Sequence, residues 1–105
     1  MTERKILLVT GGSRGIGAAT ARLAARQGYD VAINYVGNER AAHEVVADIE
    51  KSNARGIAIK GDMASDADIA RMYAEVDSKL GTLTHLVNNA GIIGLASRMM
   101  NADPA

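Results

Sequence analysis

An α/β fold, a doubly wound parallel sheet, is predicted by two features of this chain. Four short, continuous apolar runs are spaced along it, and amphipathic helical patterns fill the three gaps between them. Strands buried on both faces lose the in-out alternation of half-exposed strands, which is the habit of parallel sheets. The resulting β-α-β-α-β-α-β order has connections long enough for helical crossovers, and such crossovers are nearly always right-handed.

The strands are expected near residues 5–10, 30–35, 56–60 and 84–88. Lys5-Ile6-Leu7-Leu8-Val9-Thr10 runs into glycines, and Asp30-Val31-Ala32-Ile33-Asn34-Tyr35 is a second such run. Arg55-Gly56-Ile57-Ala58-Ile59-Lys60 and Thr84-His85-Leu86-Val87-Asn88 complete the set. In the first gap Ile16, Ala19, Leu23 and Ala24 are expected to share the buried face, and Gly28 stands where a left-handed stop belongs. In the second, Ala42, Val45, Val46 and Ile49 form the apolar stripe, opposite Glu44, Asp48, Glu50 and Lys51. In the third, Ser65 and Asp68 make a capping-box-like start, since the Ser65 hydroxyl accepts from a free backbone N–H. Ile69, Met72, Tyr73, Val76 and Leu80 follow as the stripe, and Gly81 ends it.

Composition narrows the function classes. Of 105 residues 48% are hydrophobic but only 3% aromatic, so the core is built from small aliphatics and methionine. Twelve Lys+Arg balance 12 Asp+Glu, against the basic footprint of a nucleic-acid binder or a polybasic membrane anchor. With no cysteine, a disulfide scaffold, cysteine-ligated zinc and thiol catalysis are all excluded. No apolar run approaches the roughly 20 residues that span a bilayer. A soluble, cytoplasmic chain with no metal site is expected.

The chemistry-bearing feature is Thr10-Gly11-Gly12-Ser13-Arg14-Gly15-Ile16-Gly17, set between the first strand and the first helix. A pyrophosphate approaching such a turn needs backbone free of Cβ atoms and a helix N-terminus offering unpaired N–H groups. The spacing is T-G-x-x-x-G-x-G; it is neither the G-x-G-x-x-G fingerprint nor a Walker loop, which needs Gly-Lys-Ser/Thr. The alternative is a glycine turn without a ligand. The second strand ends Asn34-Tyr35-Val36, with no carboxylate to repel a ribose 2′-phosphate, and Arg14 offers a planar fork of donors for one. NADP is therefore expected in preference to NAD; the alternative for Arg14 is a solvated loop arginine.

The chain resembles the short-chain dehydrogenases/reductases over residues 4 to about 95. Three pieces carry the likeness: the Thr10–Gly17 loop, Gly61-Asp62-Met63 after the third strand, and Asn88-Asn89-Ala90-Gly91 after the fourth. The loop and the Asn34-Tyr35 ending are similar to the NADP-preferring reductases, among them 3-oxoacyl-carrier-protein reductase and glucose dehydrogenase. Val36 departs from that pattern, because many of those proteins carry a basic residue there. The fold implied is a partial Rossmann sheet of order 3-2-1-4, with two helices on one face and the third on the other. The cofactor contacts implied are Gly11, Ser13, Arg14, Gly15, Ile16, Gly17, Asn34, Tyr35, Asp62, Met63, Asn89, Ala90 and Gly91. Taken alone, Asp62 is a turn residue, and Asn88 and Asn89 satisfy backbone groups at a strand end; their joint placement beside the loop favours the cofactor. His43 and His85 are read as structural.

The family's reaction is reversible hydride transfer between a nicotinamide and a carbonyl or alcohol carbon, with a tyrosine activated by a lysine four residues later. Four residues after Tyr29, Tyr35 and Tyr73 stand Ile33, Glu39 and Asp77, so no catalytic residue is assigned. The expectation is a cofactor-binding part, residues 1–95, with a tail over 96–105 that diverges from the family, and no turnover by this polypeptide alone. The alternative is a non-catalytic dinucleotide-binding or interaction module. An uncovered sheet edge at the fourth strand is expected to drive self-association.

Overall fold

The computed structural model describes residues 4–11 and 15–89. Strands β1 (Ile6–Thr10), β2 (Asp30–Tyr35), β3 (Gly56–Lys60) and β4 (His85–Asn88) alternate with helices α1 (Gly15–Arg26), α2 (Glu39–Lys51) and α3 (Asp66–Lys79). All pairings are parallel and the sheet order is β3-β2-β1-β4, as expected. The register sets Thr10 beside Asn88 and Tyr35 beside Lys60, so all four strands deliver their carboxyl ends to one edge.

Two apolar layers sandwich the sheet. Leu7, Val9, Val31, Ile33 and Tyr35 face α1 and α2, whereas Ile6, Leu8, Ala32 and Ile59 face α3. This alternation buries β1 and β2 completely. The outer strands differ from the expectation of two-sided burial: most of β3 is half-buried and most of β4 exposed. Each has a neighbouring strand on one side only among the described residues.

The helix stops and caps follow the sequence. Gly28 and Gly81 take positive φ, +96° and +122°, just beyond α1 and α3. Asn38 caps α2 by accepting from Ala41 N–H, and Ser65 caps α3 by accepting from Asp68 N–H. The Asp68 carboxylate turns elsewhere, accepting from Asp62 N–H at 2.8 Å and so fixing the turn after β3.

Two helix faces correct the sequence reading. In α1 the buried residues are Gly17, Ala18, Ala21, Ala24 and Ala25, while Ile16 is 76% and Leu23 55% exposed and Ala19 is exposed with them. Periodicity weighted the larger side chains, yet the small ones let α1 lie close upon the sheet and α2. In α3 Met72 and Val76 are buried, with Ile69 half-buried and Leu80 at the C-cap. Tyr73, expected in the stripe, is 40% exposed, because it lies about 100° around the helix from Met72. In α2 Ala42, Val45 and Ile49 are buried and Val46 partly so, as expected.

At the opposite edge, the wholly buried Asp30 is clasped by Arg4 and Arg55. Arg4 donates to both its oxygens at 3.0 and 2.7 Å; Arg55 donates through its backbone N–H and guanidinium. Burial pushes the Asp30 carboxyl up, but these hydrogen bonds and the Arg55 charge outweigh it and hold the group at about 2.

Candidate functional site

The site is built where the carboxyl ends of β1, β2 and β4 meet the N-terminus of α1. Gly11 leaves β1 with φ +64°, and Gly15 opens α1 with φ +64°; among the described residues, its own helix turn apart, no atom lies within 4 Å of where a Cβ would stand. That conformation strains any L side chain, so glycine suits the start of α1. Gly17 does a different job. A Cβ there would lie 2.3 Å from the Gly11 carbonyl oxygen and 3.1 Å from Asn89 Nδ2, so only glycine lets the first helical turn sit against the loop and β4.

Two asparagines hold this turn from neighbouring strands. Asn34 is 1% exposed. Its Oδ1 accepts from Gly11 N–H at 3.2 Å and its Nδ2 donates to the Gly61 carbonyl at 2.8 Å. Asn89, also buried, donates to the Gly11 carbonyl at 3.4 Å. Thr10, which opens the loop motif without being among the expected cofactor contacts, donates to the Asn88 carboxamide oxygen at 3.1 Å and ties β1 to β4. No buried side-chain polar atom lacks a partner among the described residues.

The remaining expected residues fall in three places. Ile16 is exposed at the start of α1 beside the loop, and Tyr35 is buried in the α1/α2 layer. Asp62 and Met63 form the turn after β3: the Asp62 carboxylate accepts from Ala64 N–H at 2.8 Å, and Met63 packs on the α3 layer. Ser13, Arg14, Ala90 and Gly91 lie outside the described residues. A cavity of 420 Å³ adjoins the β2 and β3 ends, lined by Val36, Lys60, Gly61, Asp62, Asp68 and Arg71. Lys60 and Arg71 were not singled out from the sequence, because lone charged residues at a strand end and on a helix carry no motif.

Two further concavities lie away from the loop. An apolar groove of 320 Å³ runs between α1 and β4, with Leu23, Tyr29, Leu86 and Val87 in its walls. A polar one of 310 Å³ between α1 and α2 contains Arg22, Arg26, Asp48 and Lys51. His85 stacks edge-on against Tyr29 at 5.3 Å, and His43 is exposed on α2. Among the described residues no cluster of His, Cys, Asp and Glu could hold a metal, and no helix is long and apolar enough to cross a membrane.

A parallel sheet of order 3-2-1-4 with alternating helices, and a helix N-terminus at its carboxyl edge, defines a Rossmann-type fold. The family model for short chain dehydrogenase matches residues 5–103, and the chain belongs to that family. An uncharacterized oxidoreductase of Escherichia coli K12, YgfF, is 44% identical over 88 residues, covering 84% of this chain and 36% of that protein. The 3-oxoacyl-[acyl-carrier-protein] reductase FabG of Staphylococcus aureus is 44% identical over 92 residues, covering 88% and 37%. Acetoin dehydrogenase YohF of Salmonella typhimurium superposes with a TM-score of 0.76 at 30% identity, over 82% of this chain and 36% of that one. A Serratia marcescens short-chain dehydrogenase/reductase mutant gives 0.77 at 36% identity, over 81% and 35%. The chain thus spans a little over a third of the length of the relatives it matches.

Proposed function

We propose that this chain holds the adenine and pyrophosphate end of a nicotinamide dinucleotide, NADP in preference to NAD. The observation that carries this reading is Gly17, where backbone and Asn89 close in so tightly that no Cβ fits, in the first turn of the helix that Gly15 opens at positive φ. A dianionic bridge suits that helix N-terminus, because the first-turn N–H groups and the helix dipole both favour negative charge. Gly11, Ser13, Gly15, Ile16 and Gly17 would line the pyrophosphate. Asp62 and Met63 would adjoin the adenosine, with Tyr35, buried in the α1/α2 layer, supporting the strand end, and Asn89, Ala90 and Gly91 would lie along the ribose on the nicotinamide side. Asn34, buried and fully engaged, would serve by holding the loop from beneath.

The NADP preference rests on Arg14 and on the absence of a carboxylate at Asn34-Tyr35-Val36. It is supported by the likeness to a reductase of the FabG type, while another relative, 44% identical, is named L-rhamnose 1-dehydrogenase (NAD(P)(+)). In the whole protein the bound nicotinamide would give or take hydride at a carbonyl or alcohol carbon. The residues present here position that cofactor, and no Tyr-x-x-x-Lys pair occurs among the 105. Domain limits of 1–95 for this unit and a cytoplasmic setting belong to the same reading.

A second reading, a non-catalytic dinucleotide-binding module that associates with its own kind, is favoured by the groove between α1 and β4. Leu23 and Leu86 are 55% and 46% exposed there, side by side. Calorimetric titration with NADPH and NADH tests the primary reading. Tighter binding of NADPH, reduced to the NADH level in Arg14→Ala, is the expected result; binding of neither would leave only shared ancestry.

A further inference from the structure

We propose that Arg71 grips the adenine ring, its planar guanidinium stacking on the purine face within the cavity at the β2 and β3 ends. This rests on the nucleotide reading above and names the residue that holds the base. Val36, exposed and apolar at the end of β2, contributes another wall of the same cavity.

The charged neighbours of Arg71 decide between stacking and phosphate binding. Its Nη2 donates to the Lys60 carbonyl and lies 3.9 Å from Asp68 Oδ1, and its Nη1 lies 3.6 Å from Glu75 Oε1. One hydrogen bond therefore anchors the guanidinium, and two carboxylates already offset the charge that would draw a phosphate to it. An arginine whose charge is already offset by carboxylates still stacks through its planar face on an aromatic ring. The charges that line the cavity also balance: Lys60 and Arg71 face Asp62 and Asp68. A neutral purine suits that balance better than a phosphate does.

The backbone is shaped to bring Arg71 there. A Cβ at Gly61 would lie 3.1 Å from Arg71 Nη2 and 2.6 Å from Met72 Sδ, so the missing side chain lets the guanidinium cross the end of β3. The two carboxylates are held back by the turn itself, Asp68 accepting from Asp62 N–H and Asp62 from Ala64 N–H. Recognition of the base through α3 is thus separate from recognition of the 2′-phosphate, which falls to Arg14.

Calorimetric titration of the 105-residue chain with NADPH and with NADH, in wild type, Arg71→Ala and Arg71→Lys, tests this. Arg71→Ala weakens both nucleotides by the same factor, about fivefold. Arg71→Lys keeps the positive charge beside Asp68 and Glu75 but has no planar face, so it shows the same loss while its thermal melt matches wild type. Should Arg71→Ala fail to fold, the lysine variant decides alone. Unchanged affinity, a loss confined to NADPH, or full affinity in Arg71→Lys would overturn the assignment while leaving the nucleotide site intact. Binding of neither nucleotide by the wild type would remove the site and this inference together.

Discussion

Asn34 Oδ1 accepts the Gly11 backbone N–H at 3.2 Å, so the glycine turn at the end of β1 is fixed by a buried carboxamide on β2. The same carboxamide donates to the Gly61 carbonyl, which couples the turn to the end of β3. Replacing Asn34 with Leu leaves both backbone groups short of a partner, at a cost of about 3 kcal/mol. Urea unfolding should show the fall in midpoint, and weaker NADPH binding should accompany it. A variant as stable as wild type would mean that Asn34 does not hold the loop.

Gly17→Ala forces a methyl group against the Gly11 carbonyl, 2.3 Å from where its Cβ would stand. Because that neighbour is backbone, the loop and the first turn of α1 must separate. NADPH affinity is expected to fall at least tenfold, with a lower melting temperature, and titration beside a thermal melt checks both. Wild-type affinity in this variant would mean that the close approach is not part of the site.

Asp30 predicts a response to acid. Its carboxyl is held at about 2 in the folded chain against an ordinary value of 3.8. Its contribution, roughly 2 kcal/mol, is therefore complete above 3.8 and is lost as pH falls from there through about 2. Unfolding free energy should drop across that window in the wild type. In Asp30→Asn it should be lower at neutral pH and vary less over the same window. Equal slopes for the two proteins would place the acid response on other groups.

The groove between α1 and β4 predicts self-association. Leu23→Lys together with Leu86→Lys replaces its two exposed leucines with charges. Sedimentation velocity should show wild-type oligomers that the double variant lacks. A monomeric wild type at high concentration would contradict this part of the proposal.

The sheet and its crossovers were legible because continuous apolar runs and glycine stops are local signals. Gly28 and Gly81 ended helices where expected, and all four strands formed within a residue of their predicted ends. The α1 face was misjudged because periodicity counts side-chain size, whereas that helix packs through Ala18, Ala21 and Ala25. Tyr73 was misplaced because α3 covers its layer with a narrow stripe centred on Met72 and Val76. At the site, the glycines announced themselves by spacing, and Asn89 through the family resemblance. The brace from Asn34 to both Gly11 and Gly61 did not, since it joins residues far apart in the chain. Arg71 was hidden for the same reason: its place beside the end of β3 exists only once α3 has folded back.

The most direct test of the central claim is to follow backbone amide resonances while NADPH is added. The amides of Gly11, Gly15, Gly17 and Asn89 should shift in a saturable way, with smaller changes around Asp62 and Met63 and none at Asp30 or Arg55. Shifts gathered instead on Arg22, Arg26 and Lys51, in the cavity between α1 and α2, or no shifts at all, would contradict the account.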